Sequence, residues 1–198
     1  MPESDPTFWA RTFALEHGRR LAAAHDGGSP MNLITHQVVV EALKHRGVVE
    51  VGNNDGPEVR AWLARVFRKP GAPWCAAFAW CCLDDACREL GLSNPIPATA
   101  GVHLLAQRAR IAGGWTAEPG PGFVGLHDAG KSKAGARLGH CGIILEVGEH
   151  HCLGIEGNTD EAGSREGQGV HEKPRALAYW DLGYLDPGLL FQGEPVQP

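Results

Sequence analysis

The 198-residue chain has no apolar run approaching the ~20 residues that a membrane-crossing helix needs. Positive charge is not in surplus either. Eighteen Lys and Arg stand against 23 Asp and Glu, a formal charge of −5. That excludes the basic footprint of a nucleic-acid-binding protein and the cationic patch that would hold a protein to an anionic cell wall. The start, Met1-Pro2-Glu3-Ser4-Asp5-Pro6, lacks the basic residues and apolar stretch of an export signal, so the chain is expected to be made in the cytoplasm without one. No C-x-x-C pair, H-E-x-x-H helix or D-x-[DN]-x-[DN]-G loop occurs, which argues against zinc and calcium sites. The turn Gly163-Ser164-Arg165-Glu166-Gly167 precedes no helix and is not a phosphate loop. No internal repeat or low-complexity tract is present.

What is there suits one folded domain of ordinary size. Apolar residues make up 43% of the chain, and 27 glycines with 14 prolines promise short elements joined by turns. Helical spacing covers 7–24, 32–45, 58–67, 75–90 and 102–111, with Pro57 suited to a first helical turn and Gly91 to a stop. After residue 114 the pattern changes to short strand-like runs at 122–127, 141–147, 151–156 and 169–173. Helices first and antiparallel strands afterwards predict an α+β domain. The segment 128–138 is expected to be a mobile loop.

The six cysteines are Cys75, Cys81, Cys82, Cys87, Cys141 and Cys152. Four lie on one predicted helix, and the start carries no export signal, so a disulfide framework is not expected. Cys81, Cys82, Cys87 and Cys152 read as core packing. Cys141 belongs on the side of its strand opposite His140. Cys75 differs from all of these, because Pro73-Trp74-Cys75 places it where a helix begins. There the exposed N–H groups and the positive end of the helix dipole favour a thiolate. His140 follows near the start of a strand, flanked by Gly139 and Gly142, which would leave room for a substrate. Glu156 and Asn158, two apart on the next strand, would share a face, and either could accept from the imidazole and fix its tautomer. Cys, then His, then Glu or Asn is the order of a papain-like amide hydrolase.

The stretches Trp74-Cys75-Ala76-Ala77-Phe78, Gly139-His140-Cys141-Gly142-Ile143-Ile144 and Ile155-Glu156-Gly157-Asn158-Thr159 resemble the CHAP family (cysteine, histidine-dependent amidohydrolase/peptidase) of NlpC-type papain-like hydrolases. The upstream Glu50-Val51-Gly52-Asn53-Asn54 and the trailing 163–170 resemble a bacterial and phage branch of that group. The likeness runs from about Val48 to Arg175. It implies N-terminal helices packed on a small antiparallel sheet in a catalytic domain at 48–190; a helical extension at 1–47 and a tail at 191–198 fall outside the likeness. It implies Cys75 as nucleophile, His140 as base, Glu156 as third member and Asn158 as helper. Trp74 and Gly139 are expected beside the substrate, and no metal or cofactor is required. The chain departs from the pattern at Gly122-Phe123, where many relatives have Gly-Asp, and at Cys141, where an aliphatic such as valine is usual.

The function implied is hydrolysis of amide bonds in bacterial peptidoglycan, by a phage lysin or an injected antibacterial effector. The partners implied are peptidoglycan and either phage or secretion machinery or an immunity protein, with no nucleic acid and no membrane span. The enzyme would act on the cell wall or in the periplasm after delivery or lysis. A cytoplasmic amidase for a small γ-glutamyl or polyamine conjugate, or a non-catalytic binding relative, remains the alternative.

Overall fold

A computed structural model describes residues 30–160 and 167–192. The helix expected at 7–24 and the first half of the 163–170 stretch lie outside those residues. Among the described residues four α-helices precede the sheet: α1 (Pro30–Leu43), α2 (Pro57–Arg65), α3 (Cys75–Glu89) and α4 (Val102–Ile111). Six strands follow: β1 (Trp115–Thr116), β2 (Val124–Lys131), β3 (Arg137–Val147), β4 (His151–Thr159), β5 (Gly169–Ala176) and β6 (Gly183–Leu185). They form one antiparallel sheet in the order β1-β6-β2-β3-β4-β5. The fold is therefore α+β, as the change of pattern after residue 114 predicts.

Local chemistry sets the helix ends. Pro57 opens α2, with Glu58 in its first turn and Arg65 in its last, each matched to the dipole. Gly91 adopts φ 67° after α3, and the N–H groups of Gly91 and Leu92 return to the carbonyls of Arg88 and Cys87. That is a Schellman stop, which requires a left-handed residue at this point. In α3 every residue from Cys75 to Leu83 is buried. A helix this enclosed cannot shift without opening the core. Its one buried acid, Asp84, is bound by Arg65 of α2 at 2.7 Å and by Arg88 at 2.8 Å.

The sheet has two differently packed sides. Cys141 and Ile143 of β3 and Ile155 of β4 join the main core with α1, α2 and α3. On the opposite side, Ile144 and Cys152 pack with Trp180 and Tyr184 from the β5–β6 region.

Three expectations need correction. Residues 128–138 are not a free loop. β2 runs to Lys131 and β3 starts at Arg137, so all but a tight turn belongs to a hairpin, pinned by Arg137 on Asp128. The boundary at residue 47 cuts through a continuous core, since Ile34, Val38, Val39 and Ala42 of α1 pack with α3. The sheet is also larger than expected: β1 and β6 are too short to leave a periodic signal, yet they extend it beyond β2.

Candidate active site

β3 and β4 are paired from Val147↔Cys152 up to Ile143↔Ile155, and the ladder goes no further. The start of α3 sits beside the gap. A Cβ on Gly157 of β4 would lie 2.6 Å from the Trp74 ring and 3.0 Å from Phe78, so only glycine lets the strand approach this closely. Trp74 is the N-cap residue of α3, and no side chain caps the helix and no acid lies in its first turn. The N–H groups of that turn are left to the residue that opens it, Cys75.

Two groups from β3 act on the ionisation of the Cys75 thiol: the Cys141 thiol and the His140 imidazole. Cys75 is held well below the ordinary thiol range. The Cys141 thiol is the largest influence lowering it, burial opposes ionisation, and the His140 imidazole and the Cys141 backbone N–H also favour the thiolate. Cys141 is driven the other way, because it faces a thiolate and is itself buried. His140 Nε2 donates to Glu156 Oε2 at 2.8 Å, with both residues fully buried. A carboxylate only accepts, so the Nε2 proton is fixed and Nδ1 is the nitrogen left to serve Cys75. Nδ1 makes no hydrogen bond in this arrangement, and catalytic pairs often tighten only when substrate is bound. Burial works against the imidazolium, but the Cys75 thiolate and Glu156 carboxylate overcome it and raise His140 to about 9.

Glu156 would be driven neutral by burial. Arg175 of β5 prevents this and, with His140, lowers its pKa. Arg175 Nε lies 2.7 Å from Oε1 and Nη2 lies 2.6 Å from Oε2, a bidentate pair, and the guanidinium also stacks over Tyr179 at 4.5 Å. Sequence reasoning missed Arg175. Its pattern signal was weak: a basic residue on an edge strand, next to Pro174, looks solvent-facing.

Asn158 is brought to the site in another role. The β4–β5 register shifts between Glu156 and Thr159, and Asn158 has φ 58°, so the alternation that would align it with Glu156 is broken. Its Oδ1 accepts the Trp74 backbone N–H at 3.0 Å, tying the end of β4 to the residue before Cys75. Trp74, expected beside the substrate, is fully buried. It stacks on Trp62 at 5.3 Å, and its indole N–H donates to Glu50 Oε2 at 3.0 Å. It presents no surface to a ligand. Glu50 thus buttresses the loop that leads into Cys75, with Glu50 N–H bonded to the Gln168 carbonyl.

The room expected around the glycines is filled by protein. A Cβ on Gly139 would meet Val102 at 2.8 Å, and one on Gly142 would meet Glu156 Cγ at 2.6 Å. These glycines allow close packing of α4 and of Glu156. Burial raises the thiols of Cys81 and Cys87 to about 12 and that of Cys82 well above the ordinary value, which leaves them protonated and unreactive. Among the described residues no group of three or more His, Cys, Asp or Glu could hold a metal ion, and no helix is long and apolar enough to cross a membrane.

Comparison with protein-family models, with curated proteins and with solved structures finds no match to this chain.

Proposed function

We propose that the protein is a cysteine amidase or endopeptidase of the papain-like, CHAP type, cleaving amide bonds in peptidoglycan. The observation that carries this reading is the buried chain Cys75–His140–Glu156. In it a thiol at an uncapped helix start is acidified in part by an imidazole whose far nitrogen is fixed by a carboxylate. No other cysteine among the described residues has a depressed pKa. The peptidoglycan substrate is drawn from the sequence resemblance alone.

In the proposed mechanism the Cys75 thiolate attacks the amide carbonyl carbon, and the Cys75 backbone N–H at the helix start, with a second donor, stabilises the tetrahedral oxyanion. The His140 imidazolium gives its Nδ1 proton to the leaving amine. As neutral imidazole it then takes a proton from water, which attacks the thioester and frees Cys75. Glu156 keeps the ring in the correct tautomer and stabilises its cationic form throughout.

The deciding experiment incubates purified peptidoglycan with the protein and identifies the released muropeptides by mass spectrometry. Soluble fragments with a new amine at one bond type are expected from the wild type and absent from Cys75→Ala. Equal release by both proteins would end the proposal. Cleavage of small γ-glutamyl or polyamine conjugates, with peptidoglycan left intact, would move the assignment to the alternative amidase.

A further inference from the structure

Three consecutive residues after β5 hold three different parts of the sheet. Trp180 lies across glycines of adjacent strands. A Cβ on Gly125 of β2 would lie 2.5 Å from the indole, one on Gly142 of β3 3.4 Å and one on Gly154 of β4 3.9 Å. The indole N–H donates to the Cys152 sulfur at 3.1 Å. Asp181 Oδ1 accepts the Asp128 N–H at 2.8 Å and the His127 Nδ1–H at 3.1 Å. Tyr179 ends the short 3-10 turn Leu177–Tyr179 and stands edge-on to Trp180 at 4.8 Å. Its ring stacks on the His127 ring at 4.0 Å and meets the Arg175 guanidinium at 4.5 Å. Trp180 and Asp181, on either flank, fix the backbone that carries this ring.

Arg175 is the residue that needs such a partner. It stands on β5, the outermost strand on its side of the sheet, and its long side chain has many rotamers to lose. Nε and Nη2 grip both oxygens of Glu156, which fixes one edge of the planar group. A ring against the face of the guanidinium fixes its plane as well, through cation–π attraction and stacking. Glu156 lies on the same side of the sheet as the turn, since a Cβ on Gly142 would meet both Glu156 Cγ and the Trp180 ring.

We propose that Tyr179 is a positioning residue of the site: its ring holds the Arg175 guanidinium in the plane that grips Glu156, and so keeps the carboxylate aimed at His140 Nε2. The inference rests on reading Cys75, His140 and Glu156 as the reacting groups. The ionisable groups facing this assembly are His140 and Arg175 on Glu156, Arg175 and His127 on Tyr179, and Asp181 on His127. Tyr179 meets Arg175 and His127 through its ring, so phenylalanine should serve in its place. Leucine, apolar but without a π face, should not.

The test uses the full-length protein, isotopically labelled in its histidines, and does not depend on the substrate. The Nε2 proton of His140, held by a buried carboxylate, is expected as a downfield resonance in slow exchange with water, assigned by its loss in His140→Ala. In Tyr179→Leu that proton should exchange about fivefold to tenfold faster and move upfield, as loss of a cation–π contact implies. The acid-side onset of Cys75 alkylation by iodoacetamide should move to higher pH in the same variant. Tyr179→Phe should keep both wild-type readings. Ile144→Val removes a methyl group from the cluster that holds Trp180 and serves as the structural control. It should melt lower and leave both readings unchanged. Tyr179→Leu with wild-type exchange and a wild-type profile would overturn the inference. So would an Ile144→Val protein shifted as far, or a phenylalanine variant that behaves like leucine. Failure of the hydrolase reading is seen separately, as a wild-type Cys75 that does not alkylate at all.

Discussion

Arg175 grips both oxygens of Glu156, and one of them, Oε2, is shared with His140 Nε2. The carboxylate is fully buried and would be unstable as an isolated charge. Arg175 is therefore a positioning residue: it keeps Glu156 ionised so that Glu156 can hold His140. Removing it strands the charge. Arg175→Ala is expected to lose about 3–5 kcal/mol of stability, the usual cost of breaking a buried pair from one side. The double variant Arg175→Met with Glu156→Gln should recover much of that stability but not activity, because the gln amide cannot support an imidazolium. Urea denaturation of the three proteins checks the prediction, and a double variant less stable than Arg175→Ala would refute it.

The ionic state of the site sets a pH window. Cys75 is ionised well below the ordinary thiol range, and His140 keeps its proton up to about 9. The thiolate–imidazolium pair therefore exists between those limits, and hydrolysis should fall on the alkaline side as pH passes about 9. Iodoacetamide alkylation of Cys75 should stay fast well below neutral pH. In His140→Ala, alkylation should retreat towards the alkaline range, losing about tenfold in thiolate for each unit of pH below the new pKa. A wild-type alkylation curve rising only near pH 9 would refute the pairing. Stability follows Glu156 on the acid side. Its folded pKa lies below the ordinary 4.5, so its contribution is present above 4.5 and is lost as pH falls through the lowered value.

Asn158 joins the sheet to the helix start through one hydrogen bond to the Trp74 N–H. Asn158→Ala would leave that buried N–H without its acceptor, a loss of about 1–3 kcal/mol, and would put alanine at φ 58°, which asparagine tolerates better. Asn158→Gly removes the backbone strain and keeps the loss of the acceptor. Both variants should show a lower melting temperature and slower Cys75 alkylation, with glycine the less destabilised of the two. Unchanged alkylation in the glycine variant would show that the bond does not set the position of Cys75.

The helices from 30 to 111 were legible because their apolar spacing and their Pro and Gly ends are local signals. Cys75, His140 and Glu156 could be picked out together because helix starts and strand ends fix where such side chains can meet. Asn158 could not be read correctly. Strict alternation fails at the irregularity after Glu156, and a register shift depends on pairing with β5 rather than on the residues themselves. Arg175 was hidden for a similar reason, since its value comes from a carboxylate on the neighbouring strand. Trp74 illustrates a further limit: an aromatic beside a nucleophile looks like a substrate contact until Trp62, Phe78 and Glu50 are seen to enclose it.

Gly142 separates the needs of the site from those of the sheet. A methyl group there would lie 2.6 Å from Glu156 Cγ, 3.3 Å from the Ile155 carbonyl and 3.4 Å from the Trp180 ring. The carbonyl belongs to the sheet and the indole is wedged in the core on that side, so neither yields easily. Glu156 must move, and with it the partner of His140 Nε2. Gly154 provides the control on the next strand, because its nearest neighbours, at 3.4 Å and beyond, are ordinary contacts. Gly154→Ala should therefore be close to neutral in both stability and Cys75 alkylation. Gly142→Ala should cost about 1–3 kcal/mol, as overpacking does, and should also move the acid-side onset of the alkylation profile to higher pH, because His140 without its carboxylate partner supports the Cys75 thiolate less. Thermal melts with alkylation profiles of the two variants decide the matter. A Gly142→Ala protein that is destabilised yet keeps the wild-type profile would mean that Glu156 adjusts without releasing the imidazole.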